Sequence, residues 1–227
     1  MTKVIQFSGG MDSIAMLWLL RPIWDEATVM WLDSGAAYPE THEQMEKIAA
    51  LVPNFLTVKG NQPAVIGAIG YPVDVVPFKF TVTGELIHGP QPVRYQTSAE
   101  CCGRSMWVPM SKAAVDLGAT EIYRGQRNSE ARKSPIRDGN VENGITYRFP
   151  LQSWTRADVS AYVNEHCPEL MPAYYKAGER TSRDCWDCTA YLDDNHERIA
   201  GLPTERKAVV MGRLNEWRQN VAVEMAN

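Results

Sequence analysis

Short apolar runs alternate with helical stretches along the first part of the chain, and their order predicts strands and helices in turn. Lys3-Val4-Ile5-Gln6-Phe7 reads as a first strand, which breaks at Ser8-Gly9-Gly10 into a helix containing Met16-Leu17-Trp18-Leu19-Leu20 and ended by Pro22. Ala27-Thr28-Val29-Met30-Trp31-Leu32 reads as a second, buried strand with Asp33-Ser34-Gly35 at its carboxyl end. Pro39 suits the first turn of a helix, the pattern of Glu43 through Val52 continues it, and Phe55-Leu56-Thr57-Val58 forms a short third strand. This alternation predicts a doubly wound α/β fold, a mostly parallel sheet with helices on both faces. Ligands of such sheets bind outside the carboxyl ends of the strands, where residues 8–13 and 33–35 both fall.

Beyond residue 60 the pattern changes. Glycine and proline recur through residues 60–100, and the alternation in Phe78-Lys79-Phe80-Thr81-Val82-Thr83-Gly84-Glu85-Leu86 predicts a hairpin in an excursion near the mouth of the site. Regular pattern resumes with a helix around Ser105–Leu117 and a strand at Glu121-Ile122-Tyr123. Thr155-Arg156-Ala157-Asp158 is a capping box with Asp in place of the usual Glu or Gln, opening the helix Val159–His166. From Pro203 onward the chain reads as one polar amphipathic helix. The expected organisation is a site-bearing domain over residues 1–192 followed by a helical tail over 193–227, without repeats or low-complexity segments.

Composition narrows the class. The 227 residues are 44% hydrophobic and 22% charged, enough for one well-buried α/β domain. A net charge of −4 excludes a broadly basic nucleic-acid coat while leaving room for a local patch. No apolar run approaches the roughly 18 residues that a bilayer span needs. Met1-Thr2-Lys3 leads straight into the first strand, without a signal peptide. The expectation is a cytoplasmic protein with reduced thiols and no membrane partner, so its cysteines read first as metal ligands or reactive groups.

Three groups of residues carry chemistry. Gly9 and Gly10 let the backbone adopt positive φ and approach a ligand closely. Successive N–H groups in such a turn form an anion cradle, and the following helix directs its positive end at the same spot. Ser8 and Ser13 add hydroxyl donors, and Asp12 caps the helix or holds a metal such as Mg²⁺. The plain alternative is a capped strand–turn–helix corner, but the complete Ser-Gly-Gly-x-Asp-Ser after the first strand favours phosphate. Arg124, Arg127, Arg132, Lys133 and Arg137 surround the end of the 121–123 strand and suit bidentate grip of phosphate or sulfate, or else form a solvated loop. Cys101-Cys102 and Cys185-Trp186-Asp187-Cys188 lie about 80 residues apart. They suit a [4Fe–4S] cluster, a structural zinc or unligated thiols. Cys167 reads as a small packed hydrophobe and Trp154 as a core aromatic.

The hexapeptide resembles the pyrophosphate loop of the adenine nucleotide alpha-hydrolase group, and lacks the lysine of the commoner Gly-x-x-x-x-Gly-Lys-Ser/Thr loop. Further blocks agree in order: Leu32-Asp33-Ser34-Gly35, Tyr38-Pro39-Glu40-Thr41, Gly125-Gln126-Arg127-Asn128-Ser129-Glu130, Pro150-Leu151 with Trp154 and Val159, and Met171 through Gly178. Together with the two cysteine pairs, they resemble the cluster-bearing phosphoadenylyl-sulfate and adenylyl-sulfate reductases over residues 3–192. The resemblance implies an adenine nucleotide alpha-hydrolase-like fold. It implies that Ser8, Gly9, Gly10, Asp12, Ser13, Asp33, Ser34, Gly35, Gly125, Arg127, Arg132 and Lys133 bind ATP or adenylyl sulfate. Asp12 and Arg127 would act in catalysis, and Cys101, Cys102, Cys185 and Cys188 would hold a [4Fe–4S] cluster.

One departure matters. Those reductases attack sulfur with a cysteine in a Glu-Cys-Gly-like tail, and no cysteine follows Cys188 here. The first expectation is therefore ATP-dependent sulfur transfer with release of pyrophosphate. The alternatives are reduction of adenylyl sulfate or its 3′-phosphorylated form by an external thiol, and a non-catalytic nucleotide-binding module. A thiol or sulfur-donor protein, a nucleic-acid acceptor and a second copy of the chain are the partners these readings admit.

Overall fold

The buried runs become the strands of a central sheet. The computed structural model describes residues 1–130, 134–176 and 183–226. In chain order it contains β1 (Thr2–Gln6), α1 (Met11–Leu19), a 3₁₀ turn (Arg21–Glu26), β2 (Ala27–Asp33), α2 (Pro39–Leu51), β3 (Phe55–Lys59), α3 (Gln62–Ile69) and β4 (Tyr71–Val73). A second 3₁₀ turn (Phe78–Phe80) precedes α4 (Val82–His88), β5 (Tyr95–Thr97) and α5 (Ser98–Cys102). A π turn (Gly103–Trp107) then leads into α6 (Val108–Asp116), β6 (Ala119–Tyr123), β7 (Val141–Glu142) and β8 (Ile145–Arg148). The chain ends with α7 (Arg156–His166), a 3₁₀ turn (Pro168–Leu170), α8 (Ala173–Lys176), α9 (Leu192–Ala200) and α10 (Thr204–Met225).

Two compact units alternate along the sequence. The first comprises Met1–Asp33, Ala37–Lys59 and Met110–Asp184, and the second Ser34–Ala36, Gly60–Pro109 and Cys185–Asn227. The first unit holds a six-stranded sheet in the order β3-β2-β1-β6-β8-β7, parallel except for the β7–β8 pair. β1 is central, and its consecutive residues Val4 and Ile5 are both fully buried, as expected of a strand covered on both faces. Ile5 joins a core with Ile14 and Leu17 of α1 and Val159 and Val163 of α7, while Val4 joins Ala114, Ile122 and Ile145 on the other face. Each such side chain contributes about 1.5–3 kcal/mol by leaving water. The winding reverses between β1 and β6, so the loops after these strands flank a topological switch point.

Local signals explain the boundaries. Thr155 and Asp158 form the expected capping box, with Thr155 N–H donating to Asp158 Oδ2 at 2.7 Å and Asp158 N–H to Thr155 Oγ1 at 3.2 Å. Cys167 is fully buried in the core, and Trp154 packs at its edge against Tyr162. The second unit contains the small parallel β4–β5 pair, α3, α4, α5, α9 and α10.

Two expectations are corrected. Residues 78–86 form a 3₁₀ turn and α4 in place of a hairpin. Thr81 Oγ1 accepts the Gly84 N–H at 3.0 Å, which starts the helix, and a Cβ at Gly84 would lie 2.0 Å from Phe78 O. The alternation that suggested a strand leaves Val82, Leu86 and Ile87 exposed. The helical stretch near Ser105 also starts earlier, at Ser98, which puts Cys101 and Cys102 in a helical turn. Among the described residues no helix is long and apolar enough to cross a membrane.

Candidate functional site

The turn after β1 is shaped by glycine and by hydrogen bonds that fold it onto α1. Gly9 has φ +79°, and a Cβ there would meet Gln44 Oε1 and Met45 Cε at 2.7 Å. Ser13 Oγ donates to Gly10 O at 2.8 Å, Gly10 N–H donates to Ser8 Oγ at 3.3 Å, and the two hydroxyls lie 3.3 Å apart. Gly10 caps α1 without a side-chain bond, so Asp12 does not serve as the cap that the sequence suggested. On the far side of the switch point, a Cβ at Gly125 would lie 3.0 Å from Asp12 O. Glycine there lets the segment after β6 approach the first turn of α1.

Asp12 has another partner. Arg127 Nε donates to Asp12 Oδ1, with Nη2 3.5 Å from Oδ2, Nη1 2.9 Å from Ser129 Oγ, and the Arg127 N–H 2.8 Å from Glu130 Oε1. Arg127 is only 7% exposed. The pair expected to act in catalysis is thus joined as an ion pair at the helix start. Arg124, on the same segment, donates to Gln6 Oε1 at 2.8 Å and to Ser134 Oγ at 3.4 Å, with burial pushing its guanidinium pKa down. Arg137 is exposed, and Arg132 and Lys133 lie outside the described residues. Asp33 is buried at the end of β2 and accepts from Lys59 Nζ at 2.9 Å. Ser34 and Gly35 belong to the second unit, where Gly35 has φ +81° and Ser34 Oγ accepts the Ala36 N–H at 3.2 Å.

Two further residues touch the turn and escaped sequence reading. Gln44 Nε2 donates to Gly9 O at 3.1 Å from the buried stripe of α2 formed with Thr41, Met45 and Ile48. A polar residue on a buried helical stripe is the signal that marks it. Tyr175 accepts a hydrogen bond from the Met11 backbone, and burial pushes its phenol up to about 12. Its hydroxyl therefore stays protonated at neutral pH, at the start of α1.

The four paired cysteines all fall in the second unit. Cys101 is buried, and burial, with Cys102 and Cys188 nearby, pushes its thiol up to about 12. Burial also raises Cys188. The Cys185–Cys188 turn rests on two arginines. Arg198 Nη1 donates to Cys185 O at 2.9 Å and Trp186 O at 3.4 Å, and its Nη2 to Cys188 O at 3.4 Å. Arg213 Nη1 donates to Asp187 Oδ2 at 2.9 Å, and Gln62 Nε2 to Asp187 Oδ1 at 2.9 Å. Trp186 N–H donates to Ala36 O at 2.9 Å. None of the five cysteines forms a disulfide, and burial pushes the thiol of Cys167 up to about 11.

The donor set of four sulfurs in one unit fits a thiophilic metal or cluster. Among the described residues, however, no three Cys, His, Asp or Glu side chains already stand as a metal-binding group. Arg198→Met is expected to free the carbonyls of the turn and lower stability by about 2 kcal/mol, a melting temperature lower by ~6 °C. A thermal melt equal to that of the unaltered chain would show that the turn holds itself.

Residues 2–70 match the phosphoadenosine phosphosulfate reductase domain. A phosphoadenosine 5′-phosphosulfate reductase of Gloeobacter violaceus is 23% identical over 199 residues, covering 87% of this chain and 76% of the relative. An adenosine 5′-phosphosulfate reductase of Deinococcus radiodurans is 21% identical over 196 residues, covering 84% and 68%. The crystal structure of phosphoadenylyl-sulfate reductase from Candida auris, a phosphate complex, superposes with a TM-score of 0.51 at 19% identity over 80% of each chain. The doubly wound sheet is the adenine nucleotide alpha-hydrolase-like fold expected from the sequence. By its domain match over residues 2–70, its relatives and its fold, the chain is similar to members of the phosphoadenosine phosphosulfate reductase family.

Proposed function

We propose that the chain is an adenine-nucleotide enzyme of sulfur metabolism, acting on an adenylyl-sulfate-type nucleotide with an external thiol. The observation that carries this reading is the glycine turn at the switch point, with Gly9 at φ +79° and the start of α1 behind it. The backbone N–H groups of Gly9 and Gly10 and the Ser8 hydroxyl would hold the phosphate. Arg124 would offset the charge of the phosphate or sulfate, while Asp12 orients Arg127 and Tyr175 offers a phenol proton at the same helix start. A thiolate from outside would bond to the sulfate sulfur as the sulfur–oxygen bond to the nucleotide breaks, and the nucleotide leaves with the electron pair. A second thiol then takes the first sulfur as a disulfide, releasing sulfite.

The reductase names of the curated relatives favour this route over ATP-dependent sulfur transfer. The burial of Cys167, the cysteine of the first unit, in the core supports a thiol from outside that unit. Cys101, Cys102, Cys185 and Cys188 would hold a [4Fe–4S] cluster, which supplies a polarising, redox-capable centre when bound.

The test is a parallel assay of anaerobically prepared protein. Sulfite should appear from adenylyl sulfate or its 3′-phosphorylated form with dithiothreitol or thioredoxin, and the protein should carry iron and sulfide. Pyrophosphate from ATP without sulfite would replace this route by sulfur transfer. Tight nucleotide binding with neither product would leave a binding module.

A further inference from the structure

The residue after the cysteine turn has an unusual backbone. Tyr191 adopts φ 60° and ψ 43°, the left-handed region that a bulky side chain rarely enters. Asp74 holds it there, with Oδ1 accepting the Tyr191 N–H at 2.6 Å and Oδ2 the Leu192 N–H at 2.9 Å. Those N–H groups open α9, so the carboxylate also satisfies orphan donors of the helix. Thr189 Oγ1 donates to Pro72 O at 2.6 Å, and Asn195 Nδ2 to Ala190 O at 2.6 Å, which pins the backbone on either side. A glycine would fit this turn without strain.

The tyrosine side chain has a use that glycine lacks. Its hydroxyl hydrogen-bonds with Ser98 and Cys102 of α5, and Cys188 lies near enough to act on it. The left-handed turn directs the phenol from the end of the Cys185–Cys188 segment to the Cys101–Cys102 segment. We propose that Tyr191 is a positioning residue for the four-cysteine set, its hydroxyl fixing Cys102 relative to the Cys185–Cys188 turn. This rests on the reading that the four cysteines share one bound metal or cluster.

The test separates the phenol from the turn. Tyr191→Phe removes the hydroxyl, and Tyr191→Gly also relieves the backbone. Zinc affinity of the metal-free full chain, measured by chelator competition, is expected to fall about 10-fold in both variants. In melting experiments without metal, Tyr191→Phe is expected to lower the transition by about 2 °C in the unaltered chain and by less when Cys102 is alanine. A purely structural turn would leave Tyr191→Gly as tight for zinc as the unaltered chain. That result, or equal zinc affinity in Tyr191→Phe with equal melting shifts in both backgrounds, overturns the proposal. If the unaltered chain takes up neither zinc nor iron, the shared-ligand reading falls and the melting cycle alone decides the role of Tyr191.

Discussion

Replacing Arg127 with methionine is expected to abolish turnover and to lower stability by about 3 kcal/mol, a melting temperature lower by ~9 °C. The side chain is almost wholly buried and makes charged hydrogen bonds to Asp12, with a further bond to Ser129. Its loss leaves the Asp12 carboxylate at the helix start without the guanidinium that holds it. Asp12 is about a third exposed, so water recovers part of the loss and the figure lies at the lower end for a broken buried pair. Arg127→Lys keeps the charge but not the planar fork, and should restore stability better than turnover. Thermal melts and single-turnover assays on the three proteins decide the matter. Undiminished turnover in Arg127→Met would remove the residue from the mechanism.

Gly9→Ala is expected to cost about 3 kcal/mol and to weaken nucleotide binding by more than 100-fold. About 1–2 kcal/mol comes from forcing an L side chain into φ +79°. The rest comes from crowding, because the new Cβ meets Gln44 and Met45 at 2.7 Å. Gln44 cannot turn away without losing its bond to Gly9 O. Gly139 provides the control, with φ +80° and no atom within 4 Å of an added Cβ. Gly139→Ala should show the backbone cost alone and leave binding unchanged. Equal losses of stability in the two variants would mean that crowding at the turn contributes nothing. Unchanged nucleotide affinity in Gly9→Ala would remove the turn from the binding site.

What could be read from the sequence was what neighbouring residues decide together. Val4 and Ile5 are consecutive and apolar because β1 is covered on both faces, and the strand announced itself accordingly. The glycine turn and the Thr155–Asp158 capping box are equally local. The hairpin at residues 78–86 misled for the same reason, since alternation outweighed the cap at Thr81 that starts a helix. Long-range partners left no such trace. Nothing near Asp12 indicates that its partner is Arg127, more than 100 residues away. Cysteine spacing pointed to the four sulfurs, but the supports of their turn, Arg198, Arg213 and Tyr191, follow it as ordinary helical and turn residues.

The strand order also bears on how the chain emerges during synthesis. β1 pairs with β2 on one side and β6 on the other, and β6 ends at Tyr123. At roughly 5–20 residues per second, several seconds separate the completion of β2 from the arrival of β6. Throughout that interval β1 offers a bare row of N–H and C=O groups beside two fully apolar side chains, the kind of edge that recruits foreign strands. A nascent chain stalled between residues 60 and 115 is thus a candidate for chaperone capture, through the strand that later supports the Gly9–Gly10 turn.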